Sequence, residues 1–266
     1  MLLSSFAVGD GARSTLLLHG FLGSGKNLRA VALRWAAVDS ARRFLLPDLT
    51  GHGDSSPLPA DADLDSVARD VLLAAEAAGF SAPHAIVGHS LGGRVALAAA
   101  RVAPEALADI VLLDIAPGPV DPARSQSRRV LDALLAAPDQ APDRRTFRAD
   151  LMARGLSPAL TDWVLMNLRN EGGVYRWRMD RRAMDVLHEG FNRDDLWPVV
   201  ASRRVPIRCL RGELSPYVTD ADASRMETAG CPVRTIPGAG HFLHVDALDR
   251  VLDDLTATTR FASAGP

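Results

Sequence analysis

Gly88-His89-Ser90-Leu91-Gly92 follows the apolar run Ala85-Ile86-Val87 and leads directly into Gly93-Arg94-Val95-Ala96-Leu97-Ala98-Ala99-Ala100. The pattern is G-x-S-x-G between a strand and a helix, the setting of a nucleophile elbow, where a serine on a sharp turn lifts its hydroxyl clear of a sheet. Such a turn strains the serine backbone, and small neighbours let strand and helix come close enough to hold it. The helix that follows would set its positive end beside Ser90. A glycine-softened β-α turn without chemistry has the same five letters, so the rest of the chain must decide between the two.

Short apolar runs ending in Gly, Pro or Asp alternate with helical segments, the mark of a parallel sheet covered on both faces. Strands are expected at 15–19, 44–46, 85–87, 110–113, 207–210 and 233–236, and helices at 28–37, 64–78 and 91–103. The alternation stops after Asp114-Ile115-Ala116-Pro117-Gly118-Pro119 and resumes at Arg204-Val205-Pro206. The fold class is therefore α/β: a core of residues 1–117 and 205–266, with 118–204 inserted as a helical cap. Within the cap, Val130, Leu131, Leu134 and Leu135, then Leu160, Val164, Leu165 and Leu168, recur at helical spacing and predict two helices with one apolar stripe each. The pairs Arg128-Arg129, Arg144-Arg145 and Arg181-Arg182 read as solvated faces. Trp163, Trp177, Trp197 and Phe191 are expected to roof a pocket suited to uncharged, medium-sized groups.

Composition narrows the function. With 47% hydrophobic and 23% charged residues and a net charge of -2, the chain is an ordinary globular protein with no basic surplus for nucleic acid or an anionic membrane. Met1 to Val8 lacks a basic leader and turns polar at Gly9-Asp10-Gly11, which reads as a first strand and hairpin turn and not as an export signal. No stretch is long enough to insert in a membrane. Lys26 is the one lysine among 30 basic residues, a bias of genome composition that fits a cytoplasmic, bacterial protein. Of the two cysteines, Cys209 lies in an apolar run and reads as a buried reduced thiol; neither Cys209 nor Cys231 is given a function.

A serine hydroxyl is a weak nucleophile at neutral pH and needs a base to take its proton. Seven histidines are available. His241, in Pro237-Gly238-Ala239-Gly240-His241-Phe242 just after the last strand, can swing over the carboxyl edge of the sheet, and it is the expected base. His244 reads as a structural or exposed histidine, and His89 as the variable residue of the elbow, pointing away from the nucleophile. An oxyanion would be held by the backbone N–H of Leu91 and, from His19-Gly20-Phe21-Leu22-Gly23, by that of Phe21.

His19-Gly20-Phe21, Pro47-Asp48-Leu49-Thr50-Gly51-His52-Gly53-Asp54-Ser55, Gly88-His89-Ser90-Leu91-Gly92-Gly93 and Gly240-His241-Phe242 together resemble the α/β-hydrolase fold in order and spacing. The resemblance implies a mostly parallel twisted sheet flanked by helices and an esterase-type Ser-His-acid mechanism on a small-molecule ester or thioester, with no metal and no cofactor. In most of the family the acid stands in G-x-x-D-x-x-V; here Gly212-Glu213-Leu214-Ser215-Pro216-Tyr217-Val218 puts Ser215 in its place. A branch of small single-domain bacterial esterases is similar in carrying both an Asp-Ile-Ala-Pro turn, here at Asp114, and an R-G-x-x-S-x-Y-V loop, here Arg211 to Val218. That resemblance implies Asp114 as the acid and Ser215 as a neutral helper hydrogen-bonded to His241. Glu213 as the acid, and Asp114 as a mere turn residue, stay open. Asp48 and Gly51-His52-Gly53 resemble the family's stabilising loop beside the site.

Rival readings remain. Gly20-Phe21-Leu22-Gly23-Ser24-Gly25-Lys26-Asn27 nearly spells a phosphate-binding P-loop, but Asn27 lacks the hydroxyl that would hold Mg²⁺. The same triad also serves lyases, including a menaquinone-pathway synthase that Ser90-Leu91-Gly92-Gly93-Arg94 resembles, as well as C–C bond hydrolases, lactonases and haloperoxidases, while a non-enzymatic receptor on the same fold would have little reason to keep serine, histidine and oxyanion loop intact. Arg94, one helical turn behind the elbow, is expected in a structural ion pair. Oligomeric state has no signature in the sequence.

Overall fold

The computed structural model of the chain describes residues 3–120 and 125–262. Five strands precede the insertion: β1 (Ser5–Val8), β2 (Arg13–Leu18), β3 (Arg42–Pro47), β4 (His84–His89) and β5 (Leu107–Leu113). Within it lie β6 (Gln140–Ala141), β7 (Leu168–Glu171) and β8 (Val174–Trp177), and after it β9 (Ile207–Gly212) and β10 (Val233–Ile236). A seven-stranded sheet runs in the order β1-β3-β2-β4-β5-β9-β10, with every neighbouring pair parallel except β1 and β3. Its central strands are apolar on both faces because both are covered. The Leu64–Ala77 and Leu91–Val102 helices and the insertion pack on one side, and the Arg29–Val38 and Leu248–Ala262 helices on the other.

The strands β2 to β5 start earlier than their apolar runs suggest, through polar residues such as Arg13-Ser14 and Arg42-Arg43, whereas β9 and β10 start where expected. The hairpin expected at Gly9 does not form. β1 pairs antiparallel with β3, Ser5 opposite Pro47, because both sides of β2 are occupied by β3 and β4. The half-exposed alternation of Ser5–Val8 suits that edge position.

In the Leu91–Val102 helix every residue from Leu91 to Ala100 is buried. Its approach to the sheet depends on glycine: a Cβ at Gly92 would lie 2.2 Å from the Leu18 carbonyl oxygen, and one at Gly88 2.3 Å from that of Gly92.

Between β5 and β9 the chain forms helices at Gln126–Ala136, Arg144–Ala153, Pro158–Val164 and Arg181–Arg193, whose N-terminal amides are capped by Ser125, Asp143, Ser157 and Asp180. Of the stripe expected on the first, Val130, Leu131 and Leu134 are buried and Leu135 is half-buried against the core. The second expected stripe divides, since the helix ends at Val164, a 3₁₀ turn follows, and Leu168 opens β7. The segment also carries a three-stranded antiparallel sheet, β6-β8-β7, which helical spacing did not announce. Gly172 and Gly173, both with positive φ, close its β7-β8 hairpin.

Arg94 fastens this segment to the core. Its buried guanidinium makes no carboxylate pair among the described residues; it donates to the carbonyls of Gly118 (2.7 Å), Phe191 (2.9 Å) and Asp194, joining the two ends of the insertion to the elbow helix. Burial lowers its pKa to about 10, which leaves it charged at neutral pH. Arg94→Met strands three carbonyls and is expected to cost about 3 kcal/mol of stability, at roughly 1 kcal/mol or more for each unpaired group, measured by urea unfolding.

Candidate active site

Five strand ends meet at the carboxyl edge of the sheet, where open α/β sheets hold their ligands. β2 delivers His19-Gly20-Phe21, β4 Ser90, β5 Asp114, β9 the loop through Ser215, and β10 the loop through His241. Ser90 stands at φ 51°, ψ -116°, and Asp114 at φ 56°, two non-glycine residues held in the left-handed region at adjacent strand ends. The Ser90 N–H donates to the Leu113 carbonyl (3.1 Å) and that of Gly93 to the Ser90 carbonyl (2.9 Å), which fixes the turn.

Asp114 is fully buried and its carboxylate takes three hydrogen bonds. Oδ1 accepts from the Gly212 amide (2.9 Å), and Oδ2 accepts from His241 Nδ1 (2.7 Å) and from the Ser215 hydroxyl. Ser215 therefore holds the carboxylate and not, as expected, the imidazole. Glu213 is exposed and accepts from the Gly238 amide (2.7 Å), so it braces the loop that carries His241. With Nδ1–H given to Asp114, His241 keeps Nε2 for other chemistry.

Ser90 and His241 line one cavity of about 100 Å³, together with Phe21, Trp163, Tyr217 and Phe242. Gly20 abuts the elbow, since a Cβ there would lie 3.4 Å from Ser90 Cβ and 2.8 Å from His89 Nδ1. Leu91 is the first residue of its helix, where an amide has no intrahelical acceptor.

The histidines around this core are neutral supports. His19 donates through Nδ1 to the Gly20 carbonyl (2.8 Å) and accepts at Nε2 from Leu49 N–H (2.9 Å); burial first, then His52, lowers its pKa to about 3. His89 is not idle: its Nε2 donates to the His241 carbonyl (2.9 Å), tying the elbow to the base's own backbone. Buried His244 packs against the His89 ring at 4.5 Å. Tyr217 stacks on the His241 imidazole with centroids 4.0 Å apart and planes at 24°. Its place two residues after Ser215 was on view in the sequence, but nothing there gave its ring a direction.

Of the four aromatics expected over the pocket, Trp163 lines the cavity and Phe191 an adjoining recess. Trp177 packs on Phe147 and donates to the Pro138 carbonyl (2.9 Å), while Trp197 lies under Arg225. Apolar composition marked them as buried but not on which face. The P-loop-like segment turns inward: Gly25 N–H donates to Asp48 (2.8 Å) and Ser24 N–H to Asn27 (2.6 Å), so two amides of its cradle are already engaged. Asp48 also takes the Asp54 amide (2.8 Å), which gives it the bracing role expected. Both cysteines are buried and unbridged. No helix among the described residues is long and apolar enough to cross a membrane.

Comparison with known proteins agrees with this fold. The model of the alpha/beta hydrolase family matches residues 15–254. The chain is 27% identical over 250 residues to the sn-1-specific diacylglycerol lipase ABHD11 of Mus musculus, covering 91% of this chain and 79% of that protein. It is 31% identical over 218 residues to Lipase LipV of Mycobacterium tuberculosis, covering 79% and 78%. Among solved structures, a marine microorganism esterase superposes with a TM-score of 0.85 at 26% identity, covering 96% of this chain and 98% of that one.

Proposed function

The chain belongs to the alpha/beta hydrolase family, and from that premise we propose that it is a serine hydrolase cleaving carboxylic esters of small to medium, mainly uncharged substrates. The observation that carries the reading is the 2.7 Å hydrogen bond from His241 to buried Asp114, with His241 and strained Ser90 on the wall of one cavity. The esterase and lipase relatives support the same reaction class.

In the proposed cycle Ser90 Oγ attacks the ester carbonyl as His241 Nε2 takes its proton. The oxyanion of the tetrahedral intermediate is met by the Phe21 and Leu91 amides. Collapse expels the alcohol, which receives the proton from His241 and leaves an acyl-serine. Water, deprotonated by His241, then attacks the acyl carbonyl, and the acyl–Ser90 bond breaks to release the acid as His241 returns the proton to Ser90 Oγ. Asp114 orients the ring and balances the imidazolium charge. Its own orientation is set by Gly212 and Ser215. Residues 118–204 act as the cap, supplying Ser127, Val130, Leu160 and Trp163 to the cavity wall.

A series of p-nitrophenyl esters of graded chain length tests the activity: turnover of short and medium esters is expected, and a folded protein inert to all of them would contradict it. Tyr217 supplies a finer check. Tyr217→Ala removes the ring stacked on His241 and is expected to lower kcat about tenfold, the upper end of what an aromatic pair contributes, while Tyr217→Phe keeps most of the rate.

A further inference from the structure

Next to the main cavity lies a recess of about 20 Å³ that the cycle above leaves unassigned. It shares Phe21, Ser90, Ser127 and Tyr217 with the main cavity, but His241, Trp163 and Phe242 line the main cavity alone. Ile115, Val120, Leu187 and Phe191 give the recess largely apolar walls; its polar lining is Ser127 and His188, which meet at its cap side, Asn192 beside them, and Arg94, whose guanidinium is already engaged by three backbone carbonyls.

We propose, resting on Ser90 as the nucleophile, that this recess receives the acyl group and that the Ser127–His188 pair recognises a hydroxyl or carbonyl on a short acyl chain. The direction follows from the proton. The departing alcohol must lie within reach of His241, so it occupies the larger, His241-lined space, and the acyl substituent takes the other side of the same carbon. The volume follows from scale, because a space of about one or two water-sized groups admits only a few heavy atoms.

The chemistry follows from the pair itself. Ser127 Oγ lies 2.7 Å from His188 Nε2 and 2.8 Å from Ser125 Oγ, and the Ser127 N–H donates to the Tyr217 hydroxyl (3.2 Å). Asn192 Nδ2 stands 3.3 Å from His188 Nδ1 and 3.1 Å from Nε2. The His188 ring tilts against Phe21 with centroids 4.9 Å apart, beside the amide assigned to the oxyanion. Burial, then the Arg128 guanidinium, lowers the His188 pKa to about 4, so the pair is uncharged at neutral pH and suits a neutral polar group. Polar atoms in an apolar recess carry a desolvation cost that a plain alkyl-binding wall would avoid. Because these atoms already satisfy one another, a matching substrate group exchanges bonds and does not rescue an orphan, so the preference is about tenfold and not the far larger discrimination of an unpaired site.

The test compares kcat/KM for p-nitrophenyl butyrate, 3-hydroxybutyrate and octanoate, with fluorophosphonate labelling of Ser90 run beside it. The hydroxybutyrate is expected to exceed butyrate about tenfold, with octanoate the poorest. Ser127→Ala should bring the hydroxybutyrate-to-butyrate ratio toward one, and Val120→Ala, which widens the recess, should raise the octanoate-to-butyrate ratio. Equal rates for the two four-carbon esters, a ratio unmoved by Ser127→Ala, or octanoate as the best substrate would overturn the assignment while a labelled Ser90 leaves the hydrolase reading standing. An unlabelled Ser90 together with no turnover of any ester would overturn both.

Discussion

Ser90→Ala is expected to lower ester turnover on the order of 10⁶-fold, and His241→Ala by about as much, with the double variant scarcely worse than either. The reason is that the two groups act as one device. Without the hydroxyl there is no acyl-enzyme for the imidazole to serve, and without the imidazole the hydroxyl has no acceptor for its proton. The residual rate would come from the Phe21 and Leu91 amides and from binding. Steady-state kinetics on one short ester, with unfolding curves to show that each variant is folded, separates this from general damage. Independent, multiplying losses would mean that Ser90 and His241 do not work together.

Asp114→Asn is the second large effect, on the order of 10⁴-fold in kcat. The change is nearly isosteric, but an amide cannot stand in for a carboxylate that accepts from three donors at once. Facing His241 Nδ1–H, an amide NH₂ either clashes or turns the imidazole to the tautomer that carries its proton on Nε2, where the base must be free. Glu213→Gln is expected to stay within about threefold, because its contact is a surface bond to the Gly238 amide and a neutral amide oxygen still accepts it. A silent Asp114→Asn beside a crippled Glu213→Gln would reverse the assignment of the acid.

Much of the core could be read from the chain because its strands are buried on both faces and so spell continuous apolar runs; the expected 233–236 is β10 itself. Ser90 and His241 were legible for a different reason, since each sits in a glycine-rich turn directly after such a run. Asp114 rested on resemblance, and the hydrogen bond from His241 gives it a geometric basis. What stayed hidden depends on direction. The sequence placed Ser215 near the pair but not which partner its hydroxyl chooses, and it counted Trp177 and Trp197 among the pocket aromatics when they face away from the cavity. The partner of β1 was hidden because pairing at a sheet edge is settled by which neighbours are already taken. The β7-β8 hairpin did leave a mark, Gly172-Gly173 between two short runs, but helical spacing around Leu168 masked it. For Arg94 the sequence favours an ion pair because carboxylates are the commonest partners of arginine, whereas the ends of the insertion present carbonyls.

The most direct measurement is active-site labelling with a fluorophosphonate, followed by mass-spectrometric location of the adduct. A single adduct on Ser90 is expected, absent in Ser90→Ala and formed far more slowly in His241→Ala. An adduct on another residue, or ester turnover that persists in Ser90→Ala with no adduct at position 90, would contradict the account.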